Sequence, residues 1–494
     1  MADSGDSSSP SPSSRPRTLV LCFDGTANEY DSDARSSSLL LFYLIQNTNV
    51  VKLFALLKKD TDDQLLYYQA GVGTYFNPGV VSPVFEWCAK ILDEAFAWYA
   101  SRCFGYQAVL TLLDRYLNQH VMDGYTFLMQ NYHPGDKICI FGFSRGAYTA
   151  RALGGFLHKV GLLPKDNQAQ VPFAYKMYQR TDAEGEQLCA GFKQTYCQSV
   201  TIDFMGVWDT VASVGVIMGK TLPFTNSNNS IKTFRHALSL DEHRAKFRPT
   251  TYHRPAPSES AAKLDPEHAS SPVVPNLPNE SDSSSSEGET APMTVTEKKK
   301  NKKRWGLFGR RSSKKVKKAN KILIPVNGDP GNSDPDDVLE VWFAGCHSDV
   351  GGGAVPNTTT DSLADIPLRW MVREALNASC ALQFDPDALT RANINLDLEP
   401  SQAELELDLA DAVEPLHDEL KLDPLWWLLE IVPLSYSWQD AQGVWHREWS
   451  IHLGRGRKIV DPQPNFHATV QKRMQALSYT PKAVWTKGTE VYVH

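Results

Sequence analysis

A three-layer α/β fold with a mostly parallel sheet, helical insertions and a long disordered loop is predicted by three observations on this 494-residue chain. Short, continuously apolar runs such as "ICIF" from Ile138 and "FMGVW" from Phe204 read as strands buried on both faces. Stretches with apolar residues at three and four spacing lie between them, the alternation that a parallel sheet requires. Three of the apolar runs end at a corner carrying one reactive side chain: Ser144, Asp209 and His347.

Residues 1–16 are Ser/Pro-rich and read as a disordered tail. "RTLVLCFDGTANE" follows as a strand and a Gly-containing turn. "VKLFALL" and "DDQLLYYQAGVGT" come next, the second ending in another turn. From Phe85 to Gln130 the pattern is helical. "HPGDKICIFGF" is a turn and a buried strand, and "RGAYTARALGGFLHKVGLL" reads as a helix. "SVTIDFMGVWDTVASVG" and "DVLEVWFAGCHSDVGGG" repeat the design of strand and polar corner, and "SLADIPLRWMVREALNASCAL" is an amphipathic helix. The reading is one α/β domain in two parts, 17–252 and 321–494, the second with a C-terminal extension. They are separated by a Ser/Pro-rich and polybasic insertion over 253–320, read as disordered. Closure entropy grows only logarithmically with loop length, so such an insertion costs little. "LWWLLEIVPL" in the extension reads as core in preference to an apolar lip over a site.

Composition excludes several classes. Hydrophobic content of 42% and charged content of 22% are ordinary for a globular protein, and the net charge of −7 gives no reason to expect specific nucleic-acid binding. The 8 cysteines form no CxxC pair, so buried free thiols in a reducing compartment are expected, with no structural zinc. There is no secretory h-region and no apolar stretch of the ~18–20 residues that span a bilayer. A cytoplasmic location follows as the expectation. About a dozen Lys and Arg crowd residues 298–318, interleaved with Trp305, Leu307 and Phe308. That run reads as a solvated tract, as a peripheral contact with anionic membrane, or less readily as a nuclear signal.

Gly142-Phe143-Ser144-Arg145-Gly146 fits the elbow pattern G-x-S-x-G between a strand and a helix. The glycines let strand and helix approach, the turn exposes the hydroxyl, and the Arg145 amide at the helix N-terminus is placed to hold an oxyanion. A serine hydroxyl needs a base, and the base needs an acid to orient it. Asp209 and His347 follow in the order Ser, Asp, His that α/β-hydrolases use. Competing readings stay open. Asp209 could cap the next segment and His347 could be a satisfied polar residue. Asp203 and Asp349 are alternative or supporting acids, and His133 and His243 are alternative bases. The "FDGT" stretch resembles a phosphatase signature, but Cys22 stands where that chemistry needs a nucleophilic Asp. The amides of Gly25 and Thr26 are read instead as a second oxyanion donor, with Asp24 bracing their turn.

Together "FDGTAN", "YYQAGVGT", "GDKICIFGFSRGAYTARALGG", "VWDTVASVG", "HALSLDEHRAKFRP" and "VWFAGCHSDVGGG" with "LADIPLRWM", from about Thr18 to Met371, resemble the α/β-hydrolase domain of the type VI secretion phospholipase effectors. The resemblance implies a Ser144–Asp209–His347 triad, an acyl-enzyme and ester hydrolysis without metal or cofactor. Phospholipids are the substrates of the bacterial members. The insertion over 253–320 is not part of that family's core, and no membrane-effector module is recognised at the C-terminus. Two alternatives remain: a non-catalytic interaction protein on the same scaffold, and a hydrolase of non-lipid esters or peptides.

Overall fold

The apolar runs become strands because each can bury both of its faces. In β1 (Thr18–Phe23) all six residues are buried. Leu19, Leu21 and Phe23 point into one core, while Val20 and Cys22 point into the other, as the two-residue period of a strand demands. The computed structural model describes residues 15–25, 46–71, 106–211, 222, 228–252, 337–440 and 445–494. Residues 1–14 of the expected 1–16 tail, residues 85–105 of the helical stretch expected from Phe85 to Gln130, the insertion over 253–320 with its polybasic run, and Thr26 lie outside them.

In chain order, β1 is followed by α1 (Asn49–Leu56), β2 (Gln64–Gln69), α2 (Tyr106–Asn131), β3 (Lys137–Phe143), α3 (Ser144–Val160), α4 (Val171–Gln179), α5 (Ala183–Tyr196), β4 (Ile202–Trp208) and β5 (Ile231–Ser239). Then come β6 (Asp337–Phe343), α6 (His347–Gly351), α7 (Asp365–Asn377), α8 (Pro386–Arg391), α9 (Gln402–Asp411), α10 (Glu419–Leu422) and α11 (Trp427–Glu430). The chain closes with β7 (Leu434–Gln439), β8 (Trp445–Ser450), β9 (Asn465–His467), α12 (Ala468–Leu477) and β10 (Val491–Val493).

Eight strands form one sheet in the order β10-β9-β6-β5-β4-β3-β1-β2, every neighbouring pair parallel. This is the α/β class with a parallel sheet that the sequence predicts. β5 and β6, on either side of the 253–320 segment, are direct neighbours in register from Thr233 against Asp337 to Ser239 against Phe343. Helices α2 to α5 cover one face of the sheet around Tyr125, Phe156 and Tyr178. Helices α1, α7 and α8 cover the other around Trp208 and Trp370. β7 and β8 form a separate antiparallel pair.

Strand order reverses between β1 and β3, the usual place for a site in an open α/β sheet. The chain turns from β3 into α3 there, and two glycines make the turn sterically feasible. A Cβ on Gly142 would meet the Gly146 carbonyl oxygen at 2.7 Å, and one on Gly146 would meet the Phe23 carbonyl oxygen at 2.2 Å. Both contacts are with backbone, which cannot swing away. Gly146→Ala is therefore expected to cost at least the ~1–3 kcal/mol of an overpacked core site, read as a lowered urea midpoint. A variant as stable as the parent would show that β1 and α3 are not in this close contact.

Candidate active site

Ser144 sits at the first position of α3 with φ at +58°, a conformation that L residues other than glycine seldom adopt. Strain of this kind persists only where surrounding packing enforces it. The 6% exposure of Ser144 shows that it is so enclosed. Asp209 follows β4 directly and is also left-handed, with φ at +39°. His347 begins α6, four residues beyond the end of β6.

The three side chains meet. His347 Nε2 lies 2.8 Å from Ser144 Oγ, and its Nδ1 lies 2.5 Å from Asp209 Oδ2. Phe143 and Phe247 flank the imidazole, with ring centroids 4.7 and 4.8 Å away, so the ring cannot tilt out of this line. Asp209 Oδ1 accepts from the Ser239 amide at 3.0 Å. The Arg457 guanidinium forks onto both carboxylate oxygens at 2.5 and 2.8 Å.

Burial alone would push the Asp209 carboxyl up. The Arg457 charge, together with the hydrogen bonds from His347 and Arg457, outweighs it and holds the group well below the usual carboxylate range. His347 moves down from the ordinary imidazole value of 6.5, chiefly because burial disfavours its charged form; its hydrogen bond to Asp209 only partly offsets this. At neutral pH the pair is thus carboxylate and neutral imidazole. The Nδ1 proton is directed at Asp209, and the Nε2 lone pair faces Ser144. Such an arrangement can take a proton from the hydroxyl and carry it as a stabilised imidazolium.

The other residues singled out in the sequence fall elsewhere. Asp349 caps its own helix, accepting from the Cys346 amide at 2.8 Å, and pairs with His417 at 2.7 Å, so it braces the corner without reaching the imidazole. Asp203 accepts from the Ile138 amide at 3.0 Å and pairs with Lys232 at the opposite end of the sheet. His243 pairs with Asp418 at 2.7 Å. His133 stands beside Asp136, its ring mostly exposed. Neither histidine is bonded to Ser144. Asp24 accepts from Thr48 and Tyr68, each at 2.8 Å, and burial lifts its carboxyl to about 6. The Gly25 amide also donates to Asp24, at 2.7 Å, which corrects its reading as an oxyanion donor: the short turn spends that hydrogen on its own brace. The Arg145 amide is the first after Ser144, at the start of α3.

Two parts of the site are invisible to sequence reasoning. Arg457 stands in "HLGRGRKIV", a stretch with no strand-end signature, 248 positions from Asp209. Glu242 and Arg244 form a buried pair 2.8 Å apart, with Glu242 also accepting from the His347 amide at 3.3 Å. "LWWLLEIVPL" divides between the two expected roles. Trp426 and Leu429 are buried, and Trp426 packs edge-on against Phe247. Trp427, Leu428 and Ile431 are exposed because a single helical turn shows its other side to solvent.

Residues 17–374 match the family model described as the type VI secretion system phospholipase effector Tle1-like catalytic domain. The uncharacterized Saccharomyces cerevisiae protein YEL023C is 26% identical over 564 residues, covering 91% of this chain and 78% of its own. Among solved structures, the Tle1 effector bound to the VgrG spike of the type 6 secretion system aligns at 13% identity and a TM-score of 0.35, over 90% of this chain and 92% of that one. An uncharacterized Pseudomonas aeruginosa protein aligns at 17% identity and a TM-score of 0.34, over 84% of this chain. This chain spans 53% of that protein's length.

Two stability measurements check the geometry. Ser144→Gly is expected to raise stability by ~1 kcal/mol, because glycine accepts a positive φ without strain. Asp209→Asn is expected to lower it by roughly 3–5 kcal/mol, because it leaves the Arg457 charge buried and unpaired. Denaturant unfolding reads both, and no loss in the Asp209 variant would contradict the ion pair.

Proposed function

The chain belongs to the Tle1-like phospholipase effector family, and from that premise we propose that it is a serine hydrolase of lipid carboxylic esters working through an acyl-enzyme. The observation that carries the reading is the hydrogen-bonded line Ser144 Oγ, His347 Nε2/Nδ1 and Asp209 Oδ2 at the reversal point of the sheet. Ser144 Oγ attacks the ester carbonyl carbon, and its proton passes to His347 Nε2. Asp209 holds the imidazole in the required tautomer and stabilises its charged form. The oxyanion is held by the Arg145 amide at the N-terminus of α3. Collapse breaks the bond to the leaving alcohol, which takes the proton from Nε2. Water, activated by the same imidazole, then hydrolyses the acyl-serine and releases the acid.

An apolar face next to the site favours a lipid over a soluble ester. Trp427, Leu428 and Ile431 on and after α11 are exposed, as are Trp449, Ile451 and Leu453. The two groups are held together where the Leu453 amide donates to the Glu430 carbonyl at 3.1 Å and His452 pairs with Glu430 at 2.6 Å. Lys421, Arg455 and Lys458 are exposed in the same segments, against Glu448 as the exposed acid. Aromatic and aliphatic side chains with a basic rim suit the boundary of an anionic lipid layer. The inner side of the same helical turn begins at Trp426, which contacts Phe247, which contacts His347. Contact with lipid on this face would therefore bring acyl ester close to the serine. Among the described residues, no helix is long and apolar enough to cross a membrane.

A fluorophosphonate probe is expected to label the wild type and not Ser144→Ala; an unlabelled wild type, or labelling that survives the substitution, would sink the proposal. His347→Asn and Asp209→Asn are each expected to lower kcat by roughly 10³–10⁴-fold on a short-chain ester. The acid limb of kcat/KM is expected below pH 6.5, since the base is lost only as pH falls through the lowered His347 value. For lipid contact, the double substitution Trp427→Ala, Leu428→Ala is expected to lower hydrolysis of phosphatidylglycerol vesicles about tenfold more than hydrolysis of a soluble ester. Equal losses on both substrates would remove the apolar face from the argument.

A further inference from the structure

Arg457 lies well beyond residue 374, the last one matched by the family model, yet its guanidinium touches the acid of the triad. Four acceptors hold it. Nη1 donates to Asp209 Oδ1 at 2.5 Å and to the Ser239 carbonyl at 3.0 Å. Nη2 donates to Asp209 Oδ2 at 2.8 Å and to the Phe247 carbonyl at 2.6 Å. Its backbone is placed independently of Asp209. The Val484 amide donates to the Arg457 carbonyl at 2.8 Å, and the Ala483 amide donates to the Leu240 carbonyl at 2.9 Å, just past the end of β5. A Cβ on Gly456 would stand 1.7 Å from the Lys482 carbonyl oxygen, so only glycine lets the chain pass here. The guanidinium thus arrives at the carboxylate in a preset position.

Oδ2 is shared, since the oxygen that accepts from His347 Nδ1 also accepts from Arg457. A cation on that oxygen weakens its pull on the imidazole proton. It also fixes the carboxylate plane, and through the Phe247 carbonyl it anchors the ring that packs on His347. We propose that Arg457 is a positioning residue of the hydrolysis, one that orients Asp209 and sets the pH at which His347 becomes a competent base. The inference rests on the proposed roles of Ser144, Asp209 and His347. The other charged groups facing the imidazole are Glu242 and Arg244, which pair with each other on the loop after β5; Asp349, on α6, is turned towards Cys346 and His417.

The test uses Arg457→Gln and Arg457→Lys in the full chain. Removing the cation leaves Asp209 free to stabilise imidazolium, so the acid limb of kcat/KM in Arg457→Gln is expected to move up by about one pH unit. The kcat value should fall roughly tenfold or more from lost orientation, with KM little changed because Arg457 contacts no substrate in this reading. Arg457→Lys keeps the charge and loses the fork, so its limb should stay near the wild type while kcat still falls. A wild-type limb in a folded Arg457→Gln protein, or an equal upward shift in Arg457→Lys, would overturn the role of the charge. An undiminished kcat in Arg457→Lys would overturn the role of the fork. If Arg457→Gln does not fold, the Lys variant bears the test through its expected combination of wild-type limb and reduced kcat. The His347 ring is also titrated by NMR in Ser144→Ala and in Ser144→Ala, Arg457→Lys. Here the same His347 pKa is expected, and a rise of one unit would overturn the proposal. Since that readout needs no turnover, a failure of the hydrolase reading, seen as absent fluorophosphonate labelling, stays distinguishable from a failure here.

Discussion

The end of β1 and the first turn of α3 meet backbone to backbone, separated by a glycine that could not carry one more carbon. This contact sets the rest of the site. It draws the turn after β3 against the Phe23 and Asp24 carbonyls, which forces Ser144 into a left-handed conformation and lifts its hydroxyl out of the sheet. The strain is local, but the cost is carried by two large cores on either face of the sheet. Tyr125 and Phe156, stacked at 4.2 Å, and the fully buried Trp208 and Trp370 belong to them. The rigid parallel sheet then offers three strand ends at one edge, and a hydrogen-bonded line across them requires little adjustment of side chains.

Electrostatics divides the labour differently. The acid lies fully buried, yet it is ionised because four donors and a full positive charge compensate it. The base lies equally deep and stays neutral because burial exceeds what its acid partner returns. A second, parallel pair sits just beneath. The Thr210 amide donates to His236 Nε2 at 3.1 Å, and His236 Nδ1 faces Glu340 at 2.8 Å. That histidine holds the residue after Asp209 from behind, so the acid's backbone is fastened on the side its carboxylate does not use.

Much of this is legible in the sequence, for a physical reason. Ser144, Asp209 and His347 each follow a continuous apolar strand, and a parallel sheet places strand ends together whatever the distance along the chain. The elbow glycines announce themselves because their spacing is the steric requirement. What escapes the sequence depends on contacts with no local signature. β9 and β10 are three residues each and carry no period to detect, yet they extend the sheet past β6. The Gly25 amide looks available in "FDGT" until the neighbouring carboxylate is seen to take it. Asp349, two residues from His347, is drawn away by His417 from a segment nearly seventy positions later. Arg457 is the extreme case, an ordinary basic residue in a glycine-rich loop whose meaning lies wholly in its partner.

That long-range ion pair has a consequence for how the protein is made. Asp209 and Arg457 are separated by 248 positions, so a ribosome adding ~5–20 residues per second delivers the cation about 12–50 s after the anion. During that interval β4 can enter the sheet only with its terminal carboxylate still hydrated or protonated. The trio of strand ends is translated long before it can settle into its final charge state. The nascent chain therefore carries its reactive serine without a fully assembled relay, and a segment synthesised 248 positions after the acid acts as the key that arms it.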